Sequence, residues 1–220
     1  MTVRWTHGLA AALLVCLLAA IGRPADAHPH VWIDLRTTVM LDDTGRVTAI
    51  GQEWLFDPMY SAYATAGVDT ESDQGREFLA ELVGDSMENL QPYDYFMRVR
   101  ADGVRQAFDR PGDYSAAMRQ DRLVYRFVVP LAEPVDPRQR DLDVAVFDPT
   151  YYIDMVHLEN DIVAFQGPNP DRCGARIVPP TPDMNAVMAA QSADQDSNPD
   201  DTIGAQFAET VIVTCGSPPS

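Results

Sequence analysis

Of the four histidines in this 220-residue chain, His28 and His30 are two residues apart in His28-Pro29-His30-Val31-Trp32-Ile33-Asp34, and His157 lies far downstream. Imidazole nitrogens bind zinc, copper and nickel, and coordination geometry rather than raw affinity decides among them. If processing leaves His28 at the amino terminus, its α-amine and ring chelate one ion and His30 adds a second ring. His157 could complete a three-histidine set, with aspartate or water as the fourth ligand. The ligand is neutral imidazole, so such a site weakens as the pH falls. One familiar amino-terminal copper and nickel geometry is ruled out. It needs a deprotonatable amide at the second residue, and Pro29 has none.

A repeated pattern supplies two further candidates. Phe56-Asp57-Pro58-Met59-Tyr60 and Phe147-Asp148-Pro149-Thr150-Tyr151 are both F-D-P-x-Y. A turn capped by Asp and fixed by Pro produces such a pattern, and so would two equivalent loops at one site. Asp57 and Asp148 are therefore secondary metal-ligand candidates. Other chemistries find less support. The chain has no G-x-S-x-G elbow and no H-E-x-x-H pair. Asp194-x-Asp196-x-Asn198 resembles the start of a calcium loop, but Pro199 stands where glycine is required and Ala205 where glutamate should close it.

The position of His28 depends on what precedes it. Met1 to Ala27 has an arginine near its start, an apolar run from Leu9 to Ile21 and a small-residue Ala25-x-Ala27 end. These are the parts of a secretory signal with cleavage after Ala27, and the apolar run is too short to span a bilayer comfortably. Lipidation at Cys16 is the alternative, but Leu13-Leu14-Val15 lacks the small residues that precede a lipoprotein cysteine. The expected organisation is a signal peptide at 1–27 and a single exported domain at 28–220, with possible sub-halves 28–100 and 101–220.

The full chain carries 16 basic and 33 acidic side chains, a net charge of −17, and every basic one outside the histidines is Arg. Removing residues 1–27 takes away two arginines and one aspartate, leaving the mature chain more acidic still. Nucleic acid and anionic membranes are disfavoured as partners, because a strongly acidic surface repels polyanions. Cations or a basic protein surface fit better. Cys173 and Cys215 remain after processing, and an oxidising compartment favours one disulfide between them. Paired thiolate ligation of a metal is the competing reading, without the C-x-x-C spacing of a zinc site.

The elements that must position these groups follow from periodicity. Val31 to Leu41 alternates, Asp42-Asp43-Thr44-Gly45 signals a turn, and Val47 to Phe56 resumes the alternation, so a hairpin is expected. In a regular strand His28, His30, Trp32 and Asp34 share one face, while Val31, Ile33 and Leu35 take the other. Glu71 to Leu90 has helical spacing. Strands are expected at Tyr93 to Arg100, Leu123 to Pro130, Leu142 to Phe147, Tyr151 to Leu158, Ile162 to Phe165 and Gln206 to Cys215, with a short helix at Thr181 to Gln191 and an acidic loop at Ser192 to Asp201. The fold class is α+β, with a mainly antiparallel sheet, one principal helix and one disulfide.

The H-P-H-V-W-I start, Glu53-Trp54-x-Phe56-Asp57, Tyr60-Ser61, Phe147-Asp148-Pro149-Thr150-Tyr151-Tyr152, Cys173 and the Phe207-Ala208 to Cys215 pattern resemble a bacterial periplasmic family over nearly the whole mature chain. It is a domain-of-unknown-function family labelled an uncharacterised ABC-type transport periplasmic component. The resemblance implies association with NicO-type nickel/cobalt permeases and a role in zinc uptake. Only the start, at His28 and His30, maps cleanly onto the family pattern, and the chain has no long His-rich loop. The leading expectation is a non-enzymatic periplasmic accessory protein that delivers a divalent ion to an inner-membrane metal permease, with zinc first and nickel or cobalt next. A copper oxidoreductase with an amino-terminal His brace, and a metal-free scaffold that docks a permease, are the alternatives.

Overall fold

A computed structural model describes residues 30–158, 163–192 and 202–216. The first alternating segment forms β1 (Val31–Leu41) and the second forms β2 (Val47–Phe56), an antiparallel hairpin in which Thr37 faces Gln52. The Asp42 carboxylate closes the turn by accepting from the backbone N–H groups of Thr44 and Arg46. Gly45 provides the φ of +78° found there. The expected face assignment holds along β1: Val31, Ile33 and Leu35 are buried, and His30 and Trp32 are exposed.

After the hairpin come α1 (Pro58–Ala64) and α2 (Asp73–Leu90). Ser72 caps α2 by accepting from the Gly75 N–H, and Leu79, Val83 and Met87 bury one stripe at intervals of four residues. The expected strand from Tyr93 starts late. Asp94, Tyr95 and Phe96 have φ of 51°, 57° and 57° in a 3₁₀ segment, which extended backbone excludes. The strand β3 therefore runs only over Met97–Ala101. It is followed by β4 (Val104–Arg105), β5 (Asp113–Arg119), β6 (Arg122–Val135), β7 (Leu142–Val146), β8 (Ile153–His157), β9 (Val163–Gln166), β10 (Cys173–Val178), α3 (Met184–Ser192), α4 (Thr202–Phe207) and β11 (Thr210–Cys215). Nearly all of the acidic Ser192 to Asp201 segment lies outside the described residues.

Among the described residues there are two sheets. One has the order β5-β6-β2-β1-β8, with β9 also on β1, and the other has the order β10-β11-β7-β3-β4. Both contribute to one core, with Ile33, Leu35, Val39, Ile50 and Trp54 from the first and Val99, Val144, Val146 and Val211 from the second. Each sheet draws strands from before and after residue 100. On the outer face of the first sheet, Glu53 receives Arg119 and Arg126 at 2.8 and 2.7 Å, and Asp34 pairs with Arg122 at 2.8 Å. The arginine stems thus lie across this face, with their charged ends paired to its carboxylates.

Two features depart from the expected α+β arrangement. The sheets are mostly antiparallel, but β8 and β9 both run parallel to β1. The chain enters β8 from the second sheet, so it arrives beside β1 by a crossover and not by a hairpin turn. In addition, α2 is the longest of several helices; α1, α3 and α4 have seven, nine and six residues. Of these, α1 and α4 are too short to show a helical period in sequence. The strands β5 and β10 went unexpected because their side chains are exposed or half-buried and lack clean alternation.

The Cys173–Cys215 disulfide is present and joins β10 to β11 at directly paired positions 42 residues apart. Closing a loop of that length restricts the unfolded chain by about 4 kcal/mol on the chain-entropy estimate. A Cys173→Ser, Cys215→Ser double variant is expected to unfold at clearly lower urea with a loss approaching that figure, read by equilibrium denaturation. An unchanged midpoint would show that the β10–β11 pairing holds itself closed.

Candidate metal site at the amino end of the first strand

The candidate ligands fall into three local environments. His30 sits at the exposed start of β1, where its backbone N–H donates to the Tyr152 carbonyl at 2.9 Å and its ring stacks on Tyr152 at 4.6 Å. Tyr152 lies just before β8, so the parallel β1–β8 pairing brings this ring under the imidazole. His28 lies outside the described residues.

The two F-D-P-x-Y segments arrive at this same end of the sheet. Asp57 caps α1: one carboxylate oxygen accepts from the Met59 and Tyr60 N–H groups at 2.8 and 2.9 Å, and the other accepts from the Trp32 N–H at 3.1 Å. Asp148 does the equivalent for β8. It accepts from the Thr150 N–H and hydroxyl at 2.9 and 2.8 Å and from the Ile153 N–H at 3.0 Å. Each aspartate therefore ties a turn to the opening of a strand, and those strands, β1 and β8, are neighbours. Both are buried, and both carboxylate oxygens of each are occupied. As metal ligands they would have to give up backbone N–H groups that then go unsatisfied.

The second loop is clasped further by α4. The Gly204 N–H donates to the Pro149 carbonyl at 3.1 Å, and Phe207 stacks on Tyr151 at 4.0 Å. A side chain at position 204 would collide with the Asp148 carbonyl, so glycine is required for this approach.

His157 occupies a different environment. Its strand pairs with β1, as a three-histidine set requires, but it sits opposite Leu35, five positions beyond His30 or about 16 Å of strand. It also lies on the buried face, 8% exposed, whereas His30 is on the exposed one. The structure does not bring these two imidazoles together. Both His157 ring nitrogens are engaged, Nδ1 with Glu209 Oε2 at 2.8 Å and Nε2 with Thr37 Oγ1 at 3.0 Å. The Gln52 side-chain amide in turn donates to Thr37 Oγ1 at 3.1 Å, and the His157 backbone N–H also donates to Glu209 at 2.8 Å. With the ring proton on Nδ1, every group in this chain has a partner: Gln52 donates to Thr37, Thr37 to His157, and His157 to Glu209.

This order of hydroxyl, imidazole and carboxylate is that of a nucleophilic relay. Its chemistry is blocked by position: Thr37 is 1% exposed and its oxygen already accepts from Gln52. The relay is a buried polar tie between β2, β1, β8 and the residue before β11. Glu209 and Gln52 have no local signal that marks them in sequence. The available clue was phase, since Thr37 and Gln52 fall on the apolar face of the hairpin and a polar pair there needs a partner. Among the described residues, no three His, Cys, Asp or Glu side chains converge as a metal-ligand set.

Burial by itself would raise the Glu209 carboxyl, but the hydrogen bonds from His157 outweigh it and hold the carboxyl below the usual glutamate range. Asp154 shifts the other way, pushed up by burial and then by the Glu209 charge. A depressed folded value means that Glu209 stabilises the fold above the ordinary glutamate pKa and ceases to as the pH falls through the lower folded value. Asp154 has the opposite sign, since protonation relieves it as the pH falls through its raised value. In an Asp154→Asn background, Glu209→Gln is expected to cost about 1 kcal/mol at neutral pH and to flatten the loss of stability below the ordinary glutamate range. Urea midpoints measured from neutral to acid pH read both effects, and parallel profiles with and without the substitution would refute them. Asp57→Ala, which removes a cap, is expected to cost about 0.5–2 kcal/mol in the same assay.

Comparison with known proteins gives relatives whose own descriptions carry no activity. An "Uncharacterized protein" of Haemophilus influenzae is 27% identical over 192 residues, spanning 86% of this chain and 91% of that protein. An "Uncharacterized 15.5 kDa protein in trpE 3'region" of Spirochaeta aurantia is 32% identical over 79 residues, 36% of this chain and 56% of that one. A family described as "Protein of unknown function (DUF1007)" matches residues 13–215, which include every strand of both sheets, and the chain belongs to that family.

Proposed function

We propose that this is an exported, periplasmic metal-binding accessory protein that holds a divalent ion at His28 and His30 and passes it to an inner-membrane permease. Zinc is the first choice of cargo, and nickel and cobalt are the next. The observation that carries the proposal is the segregation of the histidines. His157 has both ring nitrogens satisfied inside the fold, whereas His30 lies at the exposed start of β1 with its ring seated on Tyr152.

The remaining support comes from charge and from resemblance. A net charge of −17 attracts cations at long range and disfavours polyanionic partners. The sequence likeness to periplasmic components associated with NicO-type permeases points to transport and not to catalysis. A donor set of two imidazoles and an α-amine leaves coordination positions for water or an incoming ligand, as an ion destined for transfer requires.

The test is elemental analysis and intact mass of the chain purified from the periplasm. The expected result is a mature protein beginning at His28 with stoichiometric zinc, nickel or cobalt. A His28→Ala, His30→Ala double variant should lose the metal, and Glu209→Gln, which alters the surroundings of His157, should keep it. Native protein without stoichiometric metal, or a double variant with unchanged affinity, refutes the proposal. Copper with oxygen- or peroxide-dependent turnover would replace it with the oxidoreductase reading.

A further inference from the structure

The outer face of the first sheet carries a row of charge. Across β1, β2 and β6, Arg36 faces Glu53 and Glu53 faces Arg126. Three guanidiniums approach that one carboxylate. Arg119 takes one of its oxygens at 2.8 Å and Arg126 the other at 2.7 Å. Arg36 stays 4.0 Å away, its side chain 47% exposed and its guanidinium without a hydrogen-bond partner among the described residues. The other charges on this face leave that excess in place. Asp34 is paired with Arg122, Asp154 stands opposite Trp32 toward the far end of β1, and Asp109 and Arg110 are adjacent opposite charges. Asp113, opposite Val128 on β5, offsets part of it. In a chain of net charge −17, the row is a local site for an anion, and Arg36 is the group that lacks one.

Next to this row lies a gap. In the following row Thr38 faces Gly51 and Gly51 faces Val128, and the groove above them encloses about 680 Å³, a volume typical of small-molecule sites. Arg36, Glu53 and Arg126 form one end of the groove, and Met40, Val128 and Ala164 line the rest with apolar surface. Gly51 sits in the interior of β2, where glycine weakens a strand, and its backbone gives no reason for it. Its φ is not left-handed, and a Cβ there would meet Thr38 Cβ at 3.4 Å and Val128 Cγ2 at 3.8 Å, ordinary contacts. What the missing side chain provides is room over the sheet, as the close approach of a ligand requires.

We infer that this groove binds a small organic carboxylate with a short apolar chain. The carboxylate pairs with the Arg36 guanidinium and with the Nη groups of Arg126, whose Nε is held by Glu53. The chain lies over Gly51 and Val128 toward Met40, four residues or about 13 Å of strand from Arg36. Glu53 positions the arginines: it fixes Arg119 and Arg126 and has no oxygen left for Arg36. The site uses neither His28 nor His30, so it stands apart from the proposed metal site.

The experiment is isothermal titration calorimetry of the purified chain with octanoate as the probe, and with acetate and inorganic phosphate as comparisons, at low ionic strength. The expected result is saturable binding of one octanoate per chain, with acetate and phosphate each weaker. Arg36→Gln should weaken octanoate binding about tenfold, the loss of one charge-assisted pair, and Gly51→Val should abolish it by filling the groove. Circular dichroism checks that each variant keeps its fold, and Gly51→Ala replaces Gly51→Val if the larger side chain does not fold. Arg176→Gln, an exposed arginine of β10 in the other sheet, should bind as the natural chain does. Absence of saturable binding, several octanoates per chain, phosphate or acetate bound as tightly as octanoate, or unchanged binding in the Arg36 and Gly51 variants overturns the inference. A His28→Ala, His30→Ala protein should bind octanoate unchanged, so that loss of metal and loss of the carboxylate are read separately and either proposal can fail alone.

Discussion

The constraint on which the structure depends is the saturation of β1. It pairs antiparallel with β2 along one edge and parallel with β8 and then β9 along the other. A strand held on both edges must have its backbone donors and acceptors satisfied from end to end, including at the opening where pairing begins. At that opening the Trp32 N–H donates to Asp57, and at the opening of β8 the Ile153 N–H donates to Asp148. The repeated F-D-P-x-Y pattern thus answers the same physical need twice, at adjacent strands. Each proline fixes the turn, and each aspartate reaches back to the first unpaired amide.

The polar tie of Gln52, Thr37, His157 and Glu209 fixes what hydrophobic burial leaves undetermined. Apolar strands can slide by two residues and still bury the same face. A hydrogen-bonded series across β2, β1 and β8 cannot slide without leaving several buried groups unsatisfied. Because Glu209 lies just before β11 in the second sheet, the tie also fastens the two sheets to each other. Both nitrogens of His157 are used in this way, which places that histidine with the core and not with the surface chemistry.

The hairpin, the long helix, the faces of β1 and the disulfide could all be read from the sequence, because each has a short-range signature: alternation, a four-residue spacing, or two cysteines left to pair. The parallel placement of β8 and β9 had no such signature, since nothing local to Ile153–His157 says which neighbour it joins. The site was legible to the same degree. Phase put His30 with Trp32 and away from Leu35, as found, and it also held the information that separates His157. That residue alternates with Met155, a core position, so pairing with β1 had to point it inward. The expected three-histidine set overlooked that strands can be neighbours while their side chains occupy opposite faces.

That separation bears on how a proposed carrier works. A metal enclosed by three buried histidines in the core could leave only if the sheet opened, and opening it would break the Thr37–His157–Glu209 tie together with the register it holds. An imidazole at an exposed strand end, as His30 is, imposes no such barrier, because its exchange with solvent or with a second set of ligands leaves the core intact. The sheet therefore divides the histidines by role: one face and its polar tie keep the fold rigid, and the other presents His30 and Trp32 on that rigid edge. A site that must release its ion is better placed at such an edge than inside it.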